Sequence, residues 1–172
     1  MTVDVAGLRI LHYPAAPLRA VAEPIETIDA TVAAVAARML ELMHEADGAG
    51  LAAPQVGLSW RMFVTKADDR RSDLVYVNPV LGEVDPEIAV REEGCLSLPG
   101  ITAEIRRPAS ATMTALDLQR SEFTLRDDGL LARVWQHEVD HLNGVLIIDK
   151  MTPMDRIANR KPLKELESAP RM

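Results

Sequence analysis

Residues 128–142, DGLLARVWQHEVDHL, repeat with the period of a helix, and the rest of the fold is read outward from that helix. Leu130, Val134, His137 and His141 share one face, so two imidazoles lie in line with two apolar side chains. Burying an unliganded pair of imidazoles there would be costly. Residues four apart on a helix point the same way, so His137 and His141 can converge on one ion. Glu138 is then within reach of a water beside that ion. Asn143-Gly144 stops the helix.

Upstream the period changes. Segments 61–65, 74–78, 101–106, 112–118 and 122–126 read as short strands separated by Gly, Pro, Asp and Ser. The polar turn Gln119-Arg120-Ser121 joins the last two as an antiparallel hairpin. Before them, 29–46 reads as a first helix: Val32, Val35, Ala36, Met39, Leu40 and Met43 form its buried stripe, Asp29 caps its start and Asp47-Gly48 ends it. Downstream, 145–149 is expected to return as a strand. A terminal helix is expected from Pro153 towards Glu167, interrupted at Pro162. The fold class is therefore α+β, with antiparallel strands packed around the central histidine-bearing helix and a helix at each end of the chain. Residues 1–172 are expected to form one catalytic domain, with 150–172 as a helical extension.

Composition narrows the chemistry. A chain of 172 residues, 48% hydrophobic and 26% charged, suits one folded domain and excludes a disordered or collagen-like chain. Aromatics make up only 3%, so Val, Leu, Ile, Ala and Met must build the core. A net charge of −7 argues against a broad nucleic-acid surface, and no direct DNA binding is expected. No apolar run reaches the length of a membrane span, and the opening MTVDVAGLRILHYP lacks the basic start and apolar core of a secretory signal. The single cysteine, Cys95, cannot form an internal disulfide, and the cytoplasm is the simplest location.

A catalytic site of the zinc type takes three protein ligands and keeps one position open for water. Downstream of His141, only Asp149, Asp155, Glu165 and Glu167 could supply the third. Upstream stands Cys95, a possible thiolate donor in the run EEGCLSLPG over 92–100. Spacing alone leaves these alternatives open.

Three runs narrow them. GAGLAAPQ at 48–55, EGCLS at 93–97 and QHEVDHL at 136–142 resemble, in this order, the three signature motifs of peptide deformylases, and the flanking text is similar from about Ile10 to Ile148. The resemblance implies a metal-dependent hydrolase that removes the N-formyl group from the N-terminal formyl-methionine of nascent polypeptides and releases formate. It implies Cys95, His137 and His141 as ligands of one divalent ion. That ion would be Fe(II) in the cell, with Zn(II), Ni(II) or Co(II) also compatible with a thiolate and two imidazoles. It implies that Glu138 takes a proton from the attacking water and hands it to the departing amine. The Gln55 side-chain amide and the Leu96 backbone N–H would stabilise the oxyanion. Gly48 and Gly50 would line the substrate site, with the backbone at Gly50 meeting an extended peptide.

Two other readings compete: a zinc peptidase, whose usual downstream third ligand is missing here, and a non-catalytic relative that binds peptide or metal, against which the intact Glu138 and Gln55 stand. The chain also departs from the family pattern. Ala49 stands where Ile or Val is expected, and Thr102 where some members carry Arg. Arg107 fits a commonly basic position and is expected either to order the site through a carboxylate such as Asp47 or to be a solvated strand-end residue. Residues 150–172 hold six basic and three acidic side chains, a net +3. Some members of the family dock on the ribosome through such a segment; a solvated helix balancing an acidic body is the other reading.

Overall fold

The computed structural model describes residues 3–68 and 71–168. Helix α1 (Ala30–Glu45) begins at its expected cap: the Asp29 carboxylate accepts hydrogen bonds from the Thr31 and Val32 amides at 2.9 and 3.0 Å. It ends in a Schellman turn, with the Asp47 N–H donated to His44 O and the Gly48 N–H to Met43 O. Asp47 itself takes the left-handed conformation there, at φ 50°. The chain leaves this turn directly into strand β1 (Gly50–Ala52).

Strands β2 (Met62–Thr65), β3 (Leu74–Val84), β6 (Ala111–Leu116) and β7 (Glu122–Asp127) join β1 in one antiparallel sheet of order β1-β2-β3-β6-β7. Strands β4 (Ile88–Gly94) and β5 (Thr102–Pro108) form a separate two-stranded ribbon. Alternation across the sheet sorts the core into two layers. Met62, Val64 and Val77 pack with Val35, Ala36, Met39 and Met43 of α1. Phe63, Tyr76 and Met113 pack with Ala132, Trp135 and Leu142 of helix α2 (Leu130–Leu142). Trp135 is fully buried and donates its indole N–H to the Tyr76 hydroxyl at 3.0 Å. Truncating such a side chain to Ala costs about 3–5 kcal/mol. Helix α2 is therefore central, with the sheet on one side and the ribbon on the other, as the α+β reading expects.

Four details differ from that reading. The face of α2 that carries the histidines is a core face only in part: Val134 and His141 are buried, but Leu130 is 65% exposed at an open cleft, while Ala132, Trp135 and Leu142 bury the opposite face. Segment 145–149 is not a strand. Ile147–Lys150 forms a short helix α3, because Ile147 and Ile148 bury in a third core cluster and the Asp149 carboxylate accepts the Leu146 amide at 2.8 Å. The terminal helix breaks at Asn159 rather than at Pro162, giving α4 (Pro153–Ala158) and α5 (Arg160–Ser168). Pro162 sits in the first turn of α5, where no amide hydrogen bond is needed, and its ring clashes with continuation of the preceding helix four residues upstream. Strands β1 and β4 were not expected at all. The first is only three residues long, and the second contains the charged run Arg91-Glu92-Glu93. Among the described residues no helix is long and apolar enough to cross a membrane.

Candidate metal centre

Three side chains from two distant stretches meet in the cleft. Cys95 follows β4 and opens a tight turn in which the Leu98 amide donates to Cys95 O at 2.9 Å. His137 and His141 come from successive turns of α2. The Cys95 Sγ lies 3.3 Å from His141 Nε2, and the two Nε2 atoms are 3.1 Å apart. All three donor atoms fall within 4.8 Å of one another. Donors around a tetrahedral ion at about 2.0–2.3 Å stand about 3.3–3.6 Å apart, so the three atoms suit a single cation. None of the four carboxylates downstream of His141 joins this group among the described residues. Asp149 is instead paired with Arg19.

The surroundings support the same use. Glu93 Oε2 accepts from His137 Nδ1 at 3.1 Å, which leaves Nε2 with its lone pair turned to the other donors. Burial opposes charging His137, yet its hydrogen bonds to Cys95 and Glu93 and the nearby Glu138 outweigh that and push the ring up to about 10. His141 goes the other way, held well below its ordinary value by burial and then by the charges of His137 and Arg107.

Glu138 points into the cleft one residue after His137. Its Oε2 is buried and has no hydrogen-bond partner among the described residues. Burial pushes its carboxyl up to about 7, against the lowering effect of His137 and Arg107. Gln55 is 1% exposed. Its Oε1 accepts the Ala52 amide at 2.8 Å; since a backbone N–H can only donate, Nε2 must face Cys95 and Ser97, at 3.7 and 3.1 Å. The Leu96 N–H engages no partner among the described residues. Gln55, Cys95, His137 and Glu138 thus border one cleft of about 440 Å³, whose apolar walls include Leu96, Leu98, Ile101, Leu130 and Val134.

At both motif glycines an added side chain would force a neighbour to shift. A Cβ on Gly50 would lie 2.6 Å from Glu138 Oε1 and 2.8 Å from Val134 Cγ1, and one on Gly48 would lie 2.7 Å from Leu96 Cδ1. Gly50 also belongs to β1, the edge strand of the sheet, which among the described residues pairs only with β2. Ala49 is exposed at the cleft rim, as is Thr102, whose hydroxyl donates to Glu92.

The sequence reading misses the charge network behind Cys95 and the two histidines. Arg107 is 2% exposed, not a solvated strand-end residue, and its partner is not Asp47. It grips Glu93 with two hydrogen bonds, Nε to Oε1 at 2.6 Å and Nη2 to Oε2 at 2.8 Å, and reaches Asp140 at 2.8 Å. Asp47 pairs with Lys66 instead, across the end of α1. Arg133 adds a second guanidinium on Glu93 Oε1, at 2.6 Å. Arg107 and His137 hold Glu93 well below the usual carboxylate range, although burial alone would raise it. The only sequence signals were Arg133 four residues before His137 on one helix and Glu93 two before Cys95.

The chain is similar to known proteins over most of its length. The family model described as polypeptide deformylase matches residues 8–157. The peptide deformylase of Rhizobium meliloti (strain 1021) is 44% identical over 150 residues, covering 86% of each chain. That of Teredinibacter turnerae is 41% identical over 161 residues, 93% of this chain and 96% of the other. The crystal structure of a plant peptide deformylase superposes with a TM-score of 0.90 at 36% identity, over 97% of this chain and 92% of that one.

Proposed function

The chain belongs to the peptide deformylase family and is a metal-dependent deformylase, and from that premise we propose how its residues divide the work. Cys95, His137 and His141 hold one divalent ion, Fe(II) in the cell, with Zn(II), Ni(II) and Co(II) able to replace it. A bound divalent ion there supplies Lewis acidity, bringing the pKa of water down towards neutrality.

The substrate is a formyl-methionyl nascent peptide. Its backbone lies along the free edge of β1 at Gly50, and its first side chain enters the apolar part of the cleft. Glu138 takes a proton from the water that attacks the formyl carbon. As the C–N bond breaks, it returns that proton to the leaving nitrogen, so that formate and a free amino terminus result. Gln55 Nε2 and the Leu96 N–H donate to the oxygen that becomes negative when the carbonyl carbon turns tetrahedral. Their value lies in being held in advance: Gln55 cannot turn away because Ala52 fixes its other end. We further propose a cytoplasmic location and contact with the ribosome through the basic segment 150–172.

The observation that carries this reading is the meeting of one sulfur and two imidazole nitrogens beside a buried carboxylate whose Oε2 has no partner among the described residues. Its test is turnover of formyl-Met-Ala-Ser, followed as formate and as free amine, by the parent and by Glu138→Gln. The variant is expected to keep its ion and lose about 10²–10⁴-fold in kcat, the usual contribution of a positioned general base. Free amino acids in place of formate would identify a peptidase, and full turnover by Glu138→Gln would remove the carboxylate from the reaction.

A further inference from the structure

The ligands arrive on two separate supports, and little in the local backbone ties one to the other. Cys95 hangs from the end of β4, in a ribbon paired only with itself. His137 and His141 ride on α2, packed against the five-stranded sheet. The distance between sulfur and imidazoles is thus a distance between two packed bodies, and something must set it.

Glu93, two residues before Cys95, is where they are joined. Arg107 makes one such link, from β5 to Asp140 of α2 at 2.8 Å, but Asp140 is only partly buried and is shared with Lys150, and the grip of Arg107 on Glu93 stays inside the ribbon. Arg133 is different. It lies on α2 one turn before His137, and from that helix its guanidinium reaches Glu93 Oε1 at 2.6 Å, Ile105 O at 3.1 Å and Ala89 O at 2.8 Å. Those three acceptors belong to both strands of the ribbon. The guanidinium is therefore spread across the joint, with β4 and β5 on its acceptors and α2 on its stem. The same carboxylate receives His137 Nδ1 on its other oxygen.

We propose that Arg133 is a positioning residue for the metal centre: its guanidinium clamps the β4–β5 ribbon to helix α2 through Glu93, so that the Cys95 sulfur and the His137 ring keep the spacing one ion needs. This rests on the reading of Cys95, His137 and His141 as ligands and adds a positioning role for a residue of the cleft wall that is not one of the three donors. A planar fork with several donors suits three acceptors at fixed angles; a lysine offers one point charge on a flexible stem. Outer-shell partners of ligating groups typically change ion affinity or activity by about 10–100-fold when removed, and Arg107 remains on Glu93, so the low end applies.

The test uses the full chain loaded with cobalt(II), whose visible spectrum reports sulfur ligation and site geometry. Arg133→Met keeps an apolar stem and removes every donor; Arg133→Lys keeps the charge. Expected for Arg133→Met are a cobalt band altered in position or intensity, release of cobalt to a chelator about 10-fold faster, and kcat lowered about 10-fold with little change in KM. Arg133→Lys should fall between the two proteins. Circular dichroism at the assay temperature checks that the variants are folded. Should Arg133→Met fail to fold, Arg133→Lys carries the same comparison: faster release supports the clamp and parental release overturns it. Parental spectra and release rates in folded variants would refute the role while leaving the ligand set intact. A parent that takes up no cobalt through sulfur would sink the ligand set and this role with it.

Discussion

Replacing Gly50 by alanine tests how closely the cleft is built around Glu138. An added Cβ would stand 2.6 Å from Glu138 Oε1, where ordinary van der Waals contact begins at 3.4 Å, so one side must yield by about 0.8 Å, the difference of the two. The strand cannot easily do so. Gly50 is in register with Thr65 of β2, and the Lys66 N–H holds Ala49 O at 3.0 Å. Glu138 Oε2 has no hydrogen-bond partner among the described residues to resist displacement, so the carboxylate moves. A misplacement of about 1 Å costs on the order of 10²-fold in rate, and kcat for formyl-Met-Ala-Ser is expected to fall about 100-fold. Some stability should be lost as well, because the new carbon would also stand 2.8 Å from the buried Val134 Cγ1, although the reduced freedom of alanine in the unfolded chain offsets up to about 1 kcal/mol of that crowding. Formate release, metal content and a thermal melt are read on the same preparation. Gly82→Ala is the control, because nothing lies nearer than 3.5 Å to its new carbon. A Gly50→Ala protein with parental turnover would refute the reasoning, as would one that lost its activity only by losing its ion.

Other outcomes follow from the same geometry. Cys95→Ser exchanges a soft thiolate for a neutral hydroxyl and should shed its ion to a chelator that leaves the parent loaded, as measured by metal analysis after dialysis. Glu93→Gln leaves two buried guanidinia facing a neutral amide and should cost about 3–5 kcal/mol at neutral pH, read by urea unfolding. The folded-state pKa of Glu93 lies below its ordinary 4.5, so its contribution is present above that value and drains away as pH falls through and below it. The parent should accordingly lose stability on acidification more steeply than Glu93→Gln does, and parallel curves would contradict the pairing. Neutralising Arg160, Lys161 and Lys164 together to Gln should lower co-sedimentation with ribosomes at low salt; equal pelleting of both proteins would end the idea of a basic docking segment.

Local chemistry wrote much of this molecule plainly. Helix α1 was legible to within a residue because its stripe, its Asp29 cap and its Asp47-Gly48 stop all depend on neighbours three to five positions away. The β6–β7 hairpin was legible for the same reason. Segment 145–149 was not. Its Val, Leu and Ile suit a strand, but here Ile147 and Ile148 bury against Ile101 and Ile105 beneath the ribbon, and burial outweighed propensity. Strand β4 was hidden by its charges, which are tolerated because Glu93 turns inward to two arginines while its neighbours stay in water.

The site divides in the same way. Sequence by itself determined that His137 and His141 point together and that Glu138 follows them, because a helix makes neighbours of residues four apart. It also carried the three motifs, and with them the family. Only the tertiary structure decided that Arg107 is buried on Glu93 rather than turned to Asp47, and that Arg133 spans two bodies. A guanidinium carries no period and no preferred local partner. Which carboxylate it meets depends on how the ribbon packs against the helix, and that is settled by the core beneath them.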